Sequence, residues 1–298
     1  MSTFASAAYR ELGATLRGLR EDAGLTLTEL ANRLGLPLTT LSRMETGRRV
    51  SSTTDVIQHV VGCGLPYPLA QDLFEFTRMA ERKQGYYLSD QGIGGSLQSL
   101  VYHESCAENS IIYEPQVVHG LLQTPEYARA IISDINSDFA DEQVDGAVRT
   151  RMERARILSL PEPAWFTFYI HEQALRLQIG TPEVMHEQLL HLVLTAATEN
   201  VTLRVVPSAA GGRSAIGGPF HLMEIPRYPT VIYLENLSDG GLILDQPEYV
   251  RSYYGLMPRL ADVALDEGQS REFVAALADE YDRGSHLNGA DVVAQEHV

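Results

Sequence analysis

The sequence predicts an all-α segment at the N-terminus, followed by an α+β domain whose sheet is mostly antiparallel. Three observations carry this. Leucines recur at helical spacing through the first 50 residues. Segments that alternate apolar and polar residues come late and close together, between 165 and 245, with helical segments on both sides. The charge also changes along the chain. Residues 1–65 hold seven arginines against six acids, while the remainder is strongly acidic and brings the 298 residues to a net charge of −16. Such asymmetry points to two tasks, of which only the first suits a polyanion.

Leu12, Leu16 and Leu19 predict an amphipathic helix over about 6–23, with Gly24 ending it. In TLTELANRLG, Thr26 and Glu29 have the spacing of a capping box. Leu27, Leu30 and Leu34 share one face of that helix, and Gly35 closes it. In LPLTTLSRMETGRR (36–49), Pro37 suits a first helical position, Leu41 and Met44 point inward, and Gly47 ends the helix. Thr39, Thr40 and Arg43 fall on another face, with Ser42 at its margin. Two helices joined by a tight turn, the second bearing short polar residues and an arginine, form a helix-turn-helix pattern.

LTLTELANRLGLPLTTLSRMETGRR resembles the helix-turn-helix of Xre/lambda-repressor-like regulators, over about residues 10–65. The resemblance implies about five short helices, major-groove binding and a structural Arg20–Glu45 ion pair. It makes Leu38, Thr39, Thr40, Ser42 and Arg43 the candidate base-reading residues, with guanine the favoured partner of Arg43. Thr26, Thr46, Arg48 and Arg49 are candidate phosphate contacts, which fix register without reading sequence. An isolated GRR is better read as a solvated turn; inside the whole pattern DNA contact is the better reading. Two departures stand out. Pro37 replaces the usual Ser or Thr that opens the recognition helix, a loss worth roughly 1 kcal/mol of capping. Leu38 replaces a more usual polar residue, which makes readout there apolar, as against a thymine methyl.

Residues 51–65 predict a further helix with Val56, Val60 and Val61 inward, and Pro66 and Pro68 mark the exit. The expected division is a DNA-binding domain over 1–66, a linker with a connecting helix over 67–97, a second domain over 98–283 and a polar, disordered tail over 284–298. Residues 85–96, GYYLSDQGIGGS, read as a Gly/Ser loop without phosphate-loop spacing. Further helices are expected near 98–110, 124–133, 139–159, 182–199, 247–264 and 267–282. Strands are expected at 165–170, 201–206, 219–225, 230–237 and 241–245.

EPQVVHGLLQTPEYARAII, RMERARIL, HEQALR, GTPEVMHEQLLHL, NVTLRVVP, GGPFHLMEI, VIYLENL and LILDQPEYV, in that order over about 98–282, resemble the domain of unknown function called DUF5753. That family is found behind such helix-turn-helix domains in actinobacterial regulators. His119 stands where its PGLLQT motif has proline. The resemblance implies a sensing or partner-binding module, with a small DUF397-type protein or a small-molecule effector as the partner. Glu104, His119, Gln123, Tyr127, His171 and Glu172 are candidate lining residues for such a site, although helix capping and core packing account for them as readily. The 14 tyrosines against 8 phenylalanines suit an interface weakly.

Chemistry is not expected. His186 and His191 lack the spacing of a helical metal pair. Neither Cys63 nor Cys106 has a catalytic context, and there is no nucleophile elbow. No cofactor is expected. The absence of a signal sequence and of a long apolar run predicts a cytoplasmic protein. The reading is a sequence-specific, homodimeric transcriptional regulator, not an enzyme. The alternative is an antitoxin-like interaction protein that sequesters a DUF397-type partner and binds DNA for autoregulation.

Overall fold

Hydroxyl side chains and left-handed glycines set the ends of the first helices. The computed structural model describes residues 6–66, 70–82, 85–88, 96–214, 216–236 and 240–295. It opens with α1 (Ala7–Asp22), α2 (Leu27–Leu34), α3 (Leu38–Glu45), α4 (Thr53–Gly62) and α5 (Gln71–Glu81). Thr26 and Glu29 form the capping box of α2, and Ser52 and Asp55 form a second one on α4. Helix α3 starts after Pro37 with no side-chain cap. Gly35 and Gly47 adopt left-handed φ of 67° and 61°. A Cβ on Gly47 would lie 2.5 Å from the Arg10 Cα, and one on Gly13 would strike the Met44 carbonyl oxygen. Glycine at 13 and 47 is what lets α1 and α3 approach so closely.

By internal contacts the chain separates into two compact units, each discontinuous in sequence. The first comprises residues 1–108 and 221–254, the second residues 109–220 and 255–298. The first holds α1–α5, β1 (Tyr86–Leu88), α6 (Ser96–Cys106), β6 (Val231–Asn236), β7 (Gly240–Leu244) and α11 (Pro247–Tyr254). Strand β5 (Phe220–Glu224) begins at its edge. These strands run β1-β7-β6-β5, antiparallel throughout, with Tyr87 opposite Ile243 and Leu222 opposite Ile232. One core joins Leu12, Leu16, Leu30, Leu41, Met44, Val56, Phe74 and Phe76 of the helices to Met223, Val231 and Ile243 of the strands. Val61, expected inside, is 65% exposed. Val56 and Val60 already occupy the inward positions of α4, and Val61 falls 100° further round the helix.

The second unit holds β2 (Asn109–Glu114), α7 (Pro125–Ile135), α8 (Asp141–Ala155), β3 (Trp165–His171), α9 (Glu172–Arg176), α10 (Pro182–Thr195), β4 (Val201–Val206), α12 (Met257–Val263) and α13 (Glu267–Gln295). Here β2-β3-β4 are parallel, with Ile112 opposite Phe168 and Ile170 opposite Val205. Parallel neighbours need long crossovers, which the helices α7–α8 and α9–α10 supply. The strands of the chain are therefore mixed in direction, not mostly antiparallel as the spacing of the late strands suggested. Strand β2 was not expected, since residues 111–114 fell between the expected elements, and the expected strands β3 and β4 pair in parallel with each other.

Two further differences are local. The helix expected over 247–264 is two helices, α11 and α12, interrupted at Gly255 and restarted with Pro258 in the first turn. The stretch 85–96 begins with β1, and 89–95 lie outside the described residues. Helix α13 runs on into the polar stretch 284–298, of which 296–298 are likewise outside them.

Candidate nucleic-acid interface

Helix α3 turns two faces in different directions. Leu41 and Met44 are buried against α1 and α2, which fixes the helix in place. On the other side Leu38 is 46% exposed, and Thr39 and Arg43 are exposed too, with Thr40 and Ser42 half-buried. Among the described residues the Arg43 side chain has no hydrogen-bond or ion-pair partner. Its five donors are open to an external acceptor.

The neighbouring cations are engaged. Arg49 bonds the Asp55 carboxylate at 3.1 and 3.2 Å, and Asp55 is itself the capping residue of α4. Arg48, exposed, lies with its guanidinium 5.8 Å from the Tyr228 ring centroid. The Thr46 hydroxyl donates to the Ser42 carbonyl at 2.8 Å. The Thr26 hydroxyl is held in its capping box at the exposed start of α2.

Behind α3 sits a buried polar network. Arg20 donates to Glu45 through Nε at 2.9 and 3.1 Å and through Nη2 at 2.8 Å, and its Nη1 donates to the Leu25 carbonyl at 2.8 Å. Burial pushes the Glu45 carboxyl up, but hydrogen bonds from His59 and Arg20 outweigh it and hold the group below the usual carboxylate range. His59, fully buried, places Nε2 3.1 Å from Glu45 Oε1, and the Cys63 thiol lies 3.6 Å from its Nδ1. Sequence reasoning found Arg20 and Glu45 and missed His59. The available signal was a polar residue three after Val56 and one before Val60, on the apolar face of α4.

The opposite end of α1 carries a second buried cluster. Glu11 accepts from the Tyr87 hydroxyl at 2.5 Å and from Ser99 at 2.7 Å, and Tyr87 Oη lies 2.8 Å from His103 Nε2. Burial, with the Arg10 charge second, holds the His103 imidazole well below its ordinary value, so it is neutral. The close Glu11 carboxylate, 3.9 Å from Nε2, would favour the charged form. Complete burial of the ring outweighs a contact at that distance. The backbone N–H of Ala7 donates to Asp245 Oδ2.

Residues 11–73 match the family model described as a helix-turn-helix domain, and residues 97–276 match the one described as a domain of unknown function, DUF5753. The chain belongs to the DUF5753 family. Neither the curated proteins nor the solved structures give a match to it. A helix-turn-helix domain followed by a DUF5753 domain is the architecture of a DNA-binding regulator.

Of the six candidate residues of the DUF5753 segment, Glu104 belongs to the first unit and the other five to the second. Glu104 lies 3.5 Å from His221 Nδ1, both buried. In the GLLQT turn, Gln123 donates to the Val118 carbonyl at 2.7 Å and accepts from Arg151 at 2.8 Å. Tyr127 accepts from the Val118 N–H at 3.3 Å, and burial pushes its phenol up to about 12. His119 caps the turn by accepting from Leu121 N–H at 3.3 Å and packs its ring 5.6 Å from that of Phe168. His171 caps α9 and contacts the Ser214 hydroxyl at 3.3 Å. Glu172 accepts from Arg176 at 2.7 Å and from Ser208 N–H at 2.9 Å. Several of these contacts satisfy backbone groups, as those of Gln123, Tyr127, His119, His171 and Glu172 do. Among the described residues no cluster of His, Cys, Asp or Glu could hold a metal ion, and no helix is long and apolar enough to cross a membrane.

Proposed function

We propose that the chain is a sequence-specific transcriptional regulator that reads operator DNA in the major groove with α3. It acts as a homodimer in the cytoplasm, and its DUF5753 segment receives a small molecule or a protein partner. The observation that carries this reading is the outward face of α3, where Arg43 extends with no intramolecular partner beside exposed Leu38 and Thr39. Thr40 and Ser42 flank it. Thr26, Thr46, Arg48 and Arg49 border the face and hold the phosphates, Arg49 by exchanging Asp55 for phosphate. The near-neutral charge of the first 65 residues supports approach to DNA, and the acidic remainder keeps non-specific affinity low. One eight-residue helix reads few base pairs, so a two-fold-related operator is expected.

The test is selection of binding sites from random duplex DNA with the purified chain, followed by Arg43→Ala. The variant is expected to lose roughly 1–3 kcal/mol at one base pair and to relax preference there, whereas Arg48→Ala weakens all sites alike and lowers the salt slope by about one. Enrichment of no sequence, or an equal loss for Arg43→Ala on every sequence, overturns the reading.

A further inference from the structure

Arg10 is 4% exposed, yet it makes one hydrogen bond, from Nη1 to the Pro229 carbonyl at 3.1 Å. Its Nε and Nη2 are buried and have no partner among the described residues. Leaving charged donors unpaired inside a protein is costly. Nε–H and one Nη2–H lie along a single edge of the guanidinium plane, the spacing that a carboxylate fills with two parallel bonds.

Arg10 also lines a cavity of about 240 Å³ within the first unit, together with Arg17, Tyr102, Cys106, Ile225 and Tyr228. Glu45 reaches the same cavity, but its charge is already matched by Arg20 and its oxygens are engaged. The buried Asp245 carboxylate shares the field of Arg10 without bonding its Nε–H or Nη2–H, so these donors remain open among the described residues. Burial pushes the Tyr102 phenol up, with its charge interaction and hydrogen bond with Cys106 adding to it, so that hydroxyl stays protonated beside the Cys106 thiol. Ile225 and the Tyr228 ring give the space an apolar side. This is the make-up of a small-ligand site: apolar walls with a few convergent polar groups.

We propose that the cavity binds a small-molecule carboxylate on the Nε/Nη2 edge of Arg10, and that its occupancy is passed to α3 through Tyr228. Tyr228 is the connecting residue. Its ring lies 5.2 Å from the Arg10 guanidinium and 5.8 Å from that of Arg48, and its hydroxyl donates to the Thr46 carbonyl at 2.7 Å, at the end of α3. An acid seated on that edge would offset the guanidinium charge and weaken its attraction for the Tyr228 ring, and the ring carries Arg48 and Thr46 with it. The regulatory consequence rests on the DNA-binding reading above; the binding does not.

Cys106 provides a test that uses no DNA. The chain's other cysteine, Cys63, is buried, with its thiol pushed up by burial. Iodoacetate and iodoacetamide both alkylate a thiolate, the sulfur forming the new C–S bond as iodide leaves, and they differ in that only the first carries a carboxylate. A free thiol prefers the neutral reagent. At Cys106 of the intact chain, followed by peptide mass, iodoacetate is expected to react faster by about tenfold, the least that one charge-assisted hydrogen bond supplies. Benzoate should protect Cys106, and benzamide should not. Arg10→Met should restore the free-thiol order, and Arg10→Lys, charged but without the planar edge, should fall between. If a variant does not fold, the two reagents and the benzoate/benzamide pair decide the matter in the unmodified chain. Preference for iodoacetamide at Cys106, with no protection by benzoate, overturns the proposal. Selective labelling of a chain that enriches no DNA sequence would keep the site and remove the regulator reading.

Discussion

The two ends of α1 each bury an arginine, and they spend it differently. Arg20 donates through Nε, Nη1 and Nη2 to Glu45 and the Leu25 carbonyl. Among the described residues Arg10 donates through Nη1 alone. Burial does not distinguish them, since both are under a tenth exposed. The count of satisfied donors does. A buried guanidinium with an acceptor at every nitrogen belongs to the scaffold, and one with an open edge is a place for something else to bind.

The comparison can be broken by substitution. Glu45→Ala should have the largest effect, roughly 3–5 kcal/mol of unfolding free energy, because it strands Arg20 and leaves His59 without its acceptor. Urea denaturation reads this directly, and a loss below about 1 kcal/mol would mean that the Arg20 end is not a closed network. Acid should act on both ends together. Glu45 is held low in the folded chain, so its contribution is present above the unfolded carboxylate value of about 4.3 and lost as pH falls through the folded one. His103 is also held low, and the unfolded imidazole takes its proton near about 6.5. Stability measured at fixed temperature should thus begin to fall below that pH and fall further through the carboxylate range. A flat profile between neutral pH and the carboxylate range would show that His103 is not held neutral by the fold.

Tyr87→Phe comes next, at about 1–3 kcal/mol, since it removes the hydroxyl that Glu11 and His103 share in a buried site. Arg10→Met should have the smallest effect on stability, within about 1 kcal/mol of the parent, because an apolar chain of similar volume often replaces a poorly compensated buried ion without loss. Differential denaturation of the Met variants at 10 and 20 sharpens the contrast. Equal destabilisation would erase it.

Local signals made the α2–α3 pair legible. The capping box, the leucine spacing, Gly35 and Gly47 all act within a few residues, and Arg20 and Glu45 came with the family pattern. The late strands were legible too, because each alternates along its own length. What escaped depends on partners distant in the chain. Tyr87, Ser99 and His103 gain meaning only when α6 and β1 close on Glu11, 76 to 88 positions away for Tyr87 and Ser99. Arg10 looked like one more cation of an amphipathic helix, and its carbonyl partner is 219 positions on. Strand β2 was hidden because it follows directly on a helix and lies apart from the late group of strands. Its omission hid one of the two parallel pairs, although the near-continuous apolar run of β3 was a signal that both its faces are covered.

The interleaving of the first unit governs the timing of synthesis. The ribosome makes α1–α6 first, then the whole of 109–220, and only afterwards the strands and turn that supply Pro229, Tyr228 and Asp245. Domains fold as they emerge, N-terminal parts first. Here the helix-turn-helix emerges early and waits for its brace until residue 254 has been translated. A message broken anywhere in 109–220 therefore releases α3 on a chain whose α1 has no Asp245 for Ala7 and no carbonyl for Arg10. Such a fragment exposes buried surface and is a substrate for proteolysis, so the order of the gene favours near-complete chains as the ones that reach DNA.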